Sequence, residues 1–231
     1  YKVRKYGFHG TSHKYVSARM AELLGKKPEE VNVITCHLGN GASLAAVKGG
    51  KCYNTSMGFT PLAGIMMGTR SGDIDPACIS FIMNKTGMTA EETINVLNKK
   101  SGFLGVTGIS SDARDIEAAY NQGNEKAILS RKMYAHRLAQ TIGSYYVELG
   151  HVDAIVFTAG LGENDANVRA EALDVVKEAL GIEYDEAIKE PICNGKGYRL
   201  SSPNSKIEVL VIPTNEELVI ARDTKYLVEN M

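Results

Sequence analysis

Two hydrophobic runs, each followed at once by a glycine-rich segment, constrain the fold of this chain more than any other feature. The first run, 31–36, leads into HLGNGAS at 37–43, and the second, 153–157, leads into TAGLGEN at 158–164. Glycine permits positive φ angles and lets a ligand approach the main chain, and successive N–H groups at such turns form anion sites. Both segments are therefore predicted to be loops that bind nucleotide phosphates.

The order of the predicted elements indicates an α/β fold with a mixed β-sheet flanked by helices. A β-meander comes first, several helices follow, and the chain then alternates between strand and helix. The predicted strands are 31–38, 43–48, 51–56, 154–158 and 207–212. The predicted helices are 12–25 capped by Ser12, 76–86 capped by Asp75, 89–99, 112–150, 165–180 and 215–229, with a loop at 101–111 and a polar excursion from the core at 185–205.

Composition excludes several classes of protein. The chain has 231 residues, 44% of them hydrophobic, and a net charge of −1, which gives no bulk attraction to nucleic acid or an anionic membrane. Neither an apolar run of membrane-spanning length nor a signal peptide is recognisable, so a cytoplasmic location is expected. The four cysteines are scattered without a C-x-x-C pair, which argues against a disulfide framework or a zinc site: Cys36, Cys52, Cys78 and Cys193.

The glycine-rich segments match neither of the common nucleotide fingerprints. The third glycine of G-x-G-x-x-G would stand at position 165, which is Asp165, and Gly50-Lys51 is followed by Cys52 rather than by the serine or threonine of a P-loop. A nucleotide site would therefore be of a third kind, with phosphates held between loops. The alternative, that both segments are only tight turns, stays open.

Three residues have side chains suited to a transferring phosphoryl group. Asn40 stands between two glycines, where its amide can reach a ligand oxygen, although a turn residue would have the same surroundings. Arg70 lies in a glycine-flanked loop, and its planar fork suits phosphate or carboxylate, although a surface charge is the alternative. His9 precedes a helix and could hydrogen-bond such a group. Ser12 and His13 are adjacent and therefore poorly placed to act as a nucleophile pair.

Two charged residues near helix starts suggest ligand contacts. Glu216 follows a strand at its carboxyl end, where α/β sheets bind ligands, and is a candidate Mg²⁺ ligand. Its neighbour Glu217 has capping-box spacing from Thr214 and needs no further explanation. Arg114 opposes the dipole of a helix capped by Asp112, which suggests that it contacts a nucleotide.

Seven segments of the chain, taken together and in order, resemble the acetokinase family of the actin, Hsp70 and sugar-kinase superfamily. They are 4–13, 37–43, 56–62, 68–76, 110–115, 157–164 and 213–223. The resemblance implies a ribonuclease H-like, actin-like ATPase domain. It also implies reversible transfer of the γ-phosphoryl of ATP to acetate, giving acetyl phosphate and ADP, with Mg²⁺ (or Mn²⁺) and in a homodimer.

The resemblance also assigns residues to roles. The catalytic residues would be His9, Arg70 and Asn40, the acetate pocket would include Phe8 and Pro61, and the metal ligand would be Glu216. The nucleotide-binding residues would be His37, Leu38, Gly39, Asn40, Gly41, Asp112, Ala113, Arg114, Gly160, Leu161, Gly162, Glu163 and Asn164.

The resemblance places residues 1–231 in the C-terminal, nucleotide-binding domain of that family, with a helical excursion near 76–130. The companion N-terminal domain, which would add an asparagine, an arginine and an aspartate, is missing, so the chain alone is expected to be inactive. The start on Tyr1, close to a dense motif, likewise suggests a preceding segment. Two alternatives stay open: a non-catalytic nucleotide-binding and dimerisation module, and a propionate or butyrate kinase. A sugar kinase or Hsp70-like ATPase is disfavoured by segments 7–13 and 68–76.

Overall fold

A computed structural model describes residues 1–192 and 197–231 and shows a seven-stranded mixed sheet with helices on both faces. The strands are β1 (Asn32–Leu38), β2 (Ala42–Lys48), β3 (Lys51–Thr55), β4 (Ala154–Thr158), β5 (Glu190–Pro191), β6 (Tyr198–Arg199) and β7 (Glu208–Val211). The helices are α1 (Gly10–Leu23), α2 (Ala77–Thr86), α3 (Ala90–Lys99), α4 (Gly102–Thr107), α5 (Ala113–Asn121), α6 (Glu125–Leu149), α7 (Ala159–Asn164), α8 (Ala166–Leu180) and α9 (Glu216–Glu229). The predicted fold class is confirmed.

The centre of the sheet consists of three parallel strands in the order β1, β4, β7. Their registers pair His37 with Thr158 and Phe157 with Val211. On one side β2 and β3 add antiparallel strands, and on the other side β6 and β5 do so. Because parallel strands end at the same edge, the segments that follow β1, β4 and β7 meet there.

The sheet separates two apolar cores, and the period-two alternation of β1 sends its side chains to both. Ile34, Cys36 and Leu38 join a core packed against α6 and α8, whereas Val33 joins a core packed against α1. The polar residues of β1, Thr35 and His37, alternate in phase with Val33. They therefore face α1, and hydrogen bonds to that helix confirm it.

Several predicted boundaries were wrong. Helix α1 begins at Gly10 after His9, so Ser12 is not its cap. The predicted loop at 101–111 contains α4, and the helical stretch 112–150 is split between α5 and α6, where the Asn124 side chain caps α6. A strong local N-cap interrupted the helical periodicity at that point.

The second predicted glycine loop is not a loop. Residues 159–164 form the short helix α7, and the left-handed residue at its start is Ala159, with a φ of 66°. The polar stretch 185–205 adds β5 and β6 to the sheet edge and is therefore not wholly an excursion from the core. Cys193 lies outside the described residues. No helix in the described parts of the chain is long and apolar enough to cross a bilayer.

Candidate nucleotide and phosphoryl site

A cavity of about 460 Å³ opens at the carboxyl edge of the parallel strands. Its walls come from the segments after β1 and β4 and from the start of α5, which the chain order separates widely. Eight of the predicted nucleotide-binding residues line it, namely Gly39, Asn40, Asp112, Ala113, Arg114, Gly160, Leu161 and Asn164. Gly68, Phe103, Ser111, Glu117 and Asp165 complete the wall.

The other predicted nucleotide-binding residues support the wall rather than line it. Leu38 is fully buried in the core, and the main chain of Gly162 is buried as well. The Glu163 carboxylate accepts a hydrogen bond of 2.8 Å from the main-chain N–H of Ala159, which holds the left-handed start of α7. His37 and Gly41 belong to a second cluster, described below.

The predicted reason for these glycines was wrong in part, because Gly39, Gly41, Gly160 and Gly162 all lack positive φ angles. Close approach explains Gly41, since a Cβ there would stand 3.0 Å from Arg70 Nη1 and 3.7 Å from His9 Nε2. Gly160 instead faces open space, where an added Cβ would meet nothing within 4 Å. The absence of a side chain at Gly41 thus leaves room for Arg70 beside His9, and the absence of a side chain at Gly160 keeps part of the cavity open.

His9 and Arg70 form the core of the second cluster. His9 adopts a left-handed backbone conformation (φ 57°) directly before α1, and its ring stacks on His37 with centroids 4.0 Å apart. Such a conformation is uncommon for a non-glycine residue and is found preferentially at functional sites. The Arg70 guanidinium donates to the Pro61 carbonyl at 3.4 Å. Burial, and then the charge of Arg70, lower the pKa of His9.

Two buried histidines extend this cluster into the protein. His13 contacts Thr35 Oγ1 through Nδ1 (2.7 Å) and Ser43 Oγ through Nε2 (2.8 Å), and His37 Nδ1 contacts Ser12 Oγ (2.8 Å). Burial first, and neighbouring histidines second, lower the pKa of His13 to about 3 and that of His37 to about 4. Both rings are therefore neutral at neutral pH.

Sequence reasoning missed the connections of this network, although not all of its members. His13 was considered only as half of a disfavoured nucleophile pair with Ser12, and Thr35 and Ser43 were given no role. The signal was present in β1, where Thr35 and His37 interrupt the apolar alternation on the face that α1 covers. Because Ser12 and His13 bond to separate partners, the prediction that they do not form a nucleophile pair is consistent with the geometry.

Asn40 connects the cavity to the segment that carries Arg70. Its carbonyl accepts a hydrogen bond of 3.2 Å from the Gly68 N–H, and its side-chain oxygen lies where a Cβ on Gly68 would stand. The same Cβ would be 2.9 Å from the Ser111 carbonyl. The Asn40 residue itself is exposed, so its amide remains accessible from the cavity.

Phe8 and Pro61, predicted to share a pocket, are not brought into one cavity here. Phe8 is half-buried against the main core and lines a separate cavity of about 220 Å³ with His13 and Lys14. Pro61 instead contributes its carbonyl to Arg70. Phe8 is therefore connected to the site through His9, which follows it in sequence. Pro61 is connected to the site through its hydrogen bond with Arg70.

Asp112 caps α5 as predicted, accepting a 2.9 Å hydrogen bond from the Arg114 N–H. The Arg114 side chain also pairs with this carboxylate through Nε (3.0 Å) and Nη2 (2.6 Å), which lowers the pKa of Asp112 to about 2. This pair gives Arg114 a local partner, so its place in the first turn of α5 does not by itself require a ligand, and the nucleotide contact stays a prediction. Both residues nevertheless line the cavity.

Glu216 is the first residue of α9 and follows β7 at the same sheet edge. Asn215, not Thr214, caps this helix, so the predicted capping box is wrong. Among the described residues the Thr214 hydroxyl has no hydrogen-bond partner. Glu216 is not among the residues that line the nucleotide-sized cavity. Within the described residues, no group of three His, Cys, Asp or Glu side chains could hold a metal. A single carboxylate suits Mg²⁺ that is held mainly by phosphates and water.

Two buried arginines behind the cavity were not predicted. Arg131 of α6 donates to Asp165 at 2.9 Å, and Asp165 both caps α8 and lines the cavity. Arg169 of α8 pairs with Glu186 at 2.9 and 2.6 Å and donates to the Gly162 carbonyl of α7 at 2.8 Å. Both arginines occupy the apolar faces of their helices, and that position is the signal that the sequence offered.

Comparison with known proteins gives one consistent family. The family model described as the acetokinase family matches residues 1–222. Acetate kinase from Geobacillus kaustophilus is 59% identical over 228 residues, which cover 97% of this chain and 56% of that protein. The crystal structure of Porphyromonas gingivalis acetate kinase superimposes with a TM-score of 0.92 at 48% identity, covering 98% of this chain and 56% of that one. A propionate kinase from Francisella tularensis gives a TM-score of 0.86 at 43% identity, covering 95% and 55%. The chain spans just over half the length of these relatives.

Proposed function

This chain belongs to the acetokinase family, and we propose that the protein containing it is an acetate kinase. The reaction is the reversible, Mg²⁺-dependent transfer of the γ-phosphoryl of ATP to acetate, giving acetyl phosphate and ADP. The observation that carries the proposal is the convergence of the cavity with the cluster of His9, Arg70 and Gly41 through Asn40 and Gly68.

The cavity is assigned to the nucleotide. Backbone around Gly39 and Gly160 leaves room for phosphates, and Asp112, Ala113 and Arg114 form the opposite wall for the nucleoside part. The Asn164 side chain, which donates to the Gly160 carbonyl at 2.9 Å, braces α7 from the same side. The volume of about 460 Å³ is in the range of small-molecule sites.

His9, Arg70 and Asn40 are assigned to the transferring phosphoryl group. Phosphoryl transfer relies on positioning and on stabilising charge on the equatorial oxygens. The Arg70 guanidinium supplies positive charge and several donors in a half-buried setting, where such interactions are stronger than in water. Its contacts to the Pro61 carbonyl and the Met67 thioether are long, at 3.4 and 3.5 Å, and leave most of its donors for an anion.

The metal is assigned to Glu216 together with the nucleotide. Mg²⁺, or Mn²⁺ in its place, would neutralise phosphate charge when bound, and the lone carboxylate at the sheet edge is the kind of ligand that Mg²⁺ combines with phosphates. The acetate pocket is assigned to the region of Phe8 and Pro61, which the companion domain would complete.

Two alternatives to an acetate kinase can be distinguished from it by experiment. Acetate and propionate differ by one methylene, worth only about 1–3 kcal/mol in a hydrophobic pocket, and a propionate kinase is among the structures similar to this chain. A propionate or butyrate kinase is therefore the alternative within the family. The other alternative is a non-catalytic nucleotide-binding and dimerisation module. We also propose that the protein is cytoplasmic and forms a homodimer.

Nucleotide binding by the 231-residue chain tests the cavity assignment directly. Gly160→Leu should abolish ADP binding measured by calorimetry, because its side chain would enter the open space of the cavity. Gly143→Leu is the matched control, since Gly143 is also a helical glycine with nothing within 4 Å of an added Cβ. Equal ADP affinity in both variants, or no ADP binding by the unmodified chain, would overturn the assignment.

A further inference from the structure

A continuous chain of hydrogen bonds runs from the buried sheet to His9. The Thr35 hydroxyl donates to the Ala45 carbonyl at 3.4 Å and contacts His13 Nδ1 at 2.7 Å. His13 Nε2 contacts Ser43 Oγ at 2.8 Å, and Ser43 Oγ contacts His9 Nδ1 at 2.8 Å. Thr35 and Ser43 are fully buried, and His13 is 6% exposed, so water does not compete for these groups.

The Ala45 carbonyl fixes which group donates in each of these hydrogen bonds, because a carbonyl can only accept. The single hydroxyl proton of Thr35 is assigned to this carbonyl from the 3.4 Å contact, so Thr35 Oγ1 accepts from Nδ1–H of His13. Burial keeps His13 neutral, and a neutral imidazole with its proton on Nδ1 has an accepting Nε2. Ser43 therefore donates its hydroxyl proton to His13, which leaves Ser43 Oγ to accept from Nδ1–H of His9.

We propose that Ser43 and His13 are positioning residues that hold the proton of neutral His9 on Nδ1, so that Nε2 can donate to a bound oxyanion only after it takes up a proton. The inference rests on the proposed function, because it takes the phosphoryl group as the anion at Nε2. His9 Nε2 is the ring atom near Gly41 and faces the same space as Arg70. Binding of the anion is thereby coupled to protonation of His9.

The groups around His9 make the uncharged ring the resting state. Arg70 on the 68–76 segment opposes a second positive charge, the neutral His37 of β1 stacks at 4.0 Å, and His13 of α1 lies with its ring centroid at 6.4 Å. An anion between Nε2 and Arg70 reverses the balance, because it attracts both cations. The step forms one N–H bond at Nε2, takes one proton from the buffer, and releases it when the anion leaves.

The tautomer is measured by two-dimensional ¹⁵N–¹H correlation of the ring nitrogens in the histidine-labelled chain at neutral pH. The expected result is a protonated Nδ1 and an unprotonated Nε2 for both His9 and His13. Thr35→Val removes the hydroxyl that sets the direction of the hydrogen bonds from His13 to His9. It should therefore shift His9 toward the Nε2–H tautomer. Thr93→Val is the matched control, since buried Thr93 also donates to a carbonyl (2.9 Å) but in α3. An Nε2–H tautomer of His9 in the unmodified chain overturns the proposal.

Addition of sulfate, an oxyanion that does not itself titrate near neutral pH, tests the coupling. The expected result is protonation of His9 Nε2 in the unmodified chain, with a smaller response in Arg70→Ala. A shift of the His9 signals without protonation overturns the coupling. If sulfate leaves His9 unchanged, the anion site of the proposed function fails at this position, whereas the tautomer measured without anion still decides the role of Ser43 and His13.

Discussion

Arg70 and His9 converge above Gly41, where a Cβ would crowd Arg70 Nη1 at 3.0 Å and stand at ordinary contact distance from His9 Nε2. The sequence indicated each of these residues separately, since an arginine between glycines and a histidine before a helix are recognisable patterns. It did not indicate that they meet, because segments 7–13, 37–43 and 68–76 come together only through the sheet edge. The polar residues Thr35 and His37 of β1 indicated a buried polar network, but the sequence did not pair His13 with Thr35 and Ser43, since these two partners lie on different strands.

Replacement of Arg70 tests its assignment to the transferring phosphoryl group. In the longer protein proposed above to contain this chain, Arg70→Ala should lower kcat by about 10²–10³-fold, because a charged donor to the transferring group is lost. ADP affinity should change little, since the interaction belongs to the transition state. Arg222→Ala, an exposed arginine of α9, is the control and should keep both constants. Equal loss of catalysis and ADP affinity in Arg70→Ala would contradict the assigned role.

Gly68→Ala should act on the same site through Asn40. The added Cβ would overlap the Asn40 side-chain oxygen and approach the Ser111 carbonyl to 2.9 Å, so the amide and the cavity wall must both move. The expected outcome is a loss of ADP affinity and of kcat together, measured by calorimetry and steady-state kinetics. Gly143→Ala, which meets no atom within 4 Å, should leave both unchanged.

At the scale of elements, α7 and Asp165, the N-cap of α8, form one wall of the cavity and are fixed from behind by buried ion pairs. Arg169 joins α8 to the Gly162 carbonyl of α7 and to Glu186, and Arg131 joins α6 to Asp165. The long strands and helices were predicted because apolar periodicity specifies them. Helix α7 was not, because it is short and contains two glycines, which individually disfavour helix. Local hydrogen bonds of Glu163 and Asn164 and the tertiary contact to Arg169 hold it in place.

Arg169→Met should therefore destabilise the domain and weaken nucleotide binding at the same time. Leaving Glu186 without its partner and the Gly162 carbonyl without its donor should cost about 3–5 kcal/mol of unfolding free energy. The double variant Arg169→Met with Glu186→Gln should recover part of that stability but not the ADP affinity, because the contact to α7 is still missing. Urea denaturation and ADP calorimetry on the four proteins of the cycle measure both effects. Full recovery of binding in the double variant would contradict the positioning of α7 by Arg169.

For the whole molecule, the buried histidines make stability depend on pH. The folded-state pKa values of His13 (about 3) and His37 (about 4) lie below the ordinary value of 6.5, and that of His9 is also lowered. The unfolded state therefore binds more protons in this range, so the stabilising contribution is present above pH 6.5 and is lost as pH falls toward 3.

Urea denaturation at a series of pH values between 7 and 5 should show this loss. His13 and His37 should each lower the unfolding free energy by up to about 1.4 kcal/mol per pH unit as the pH falls below 6.5. His13→Gln should reduce the slope, since one depressed group is removed, even if its absolute stability is lower. A slope that is flat, or that is unchanged in His13→Gln, would contradict the neutral buried state of His13.

We propose that this chain supplies the nucleotide and phosphoryl site of an acetate kinase, and a phosphoryl-transfer assay tests that function itself. ATP-dependent acyl hydroxamate formation should be followed with acetate, propionate and butyrate, using the longer protein proposed to contain this chain and the chain alone. Turnover with Mg²⁺ and acetate by the longer protein, and none by the chain alone, is the predicted result. No turnover with any of the three acids by the longer protein would contradict the assignment.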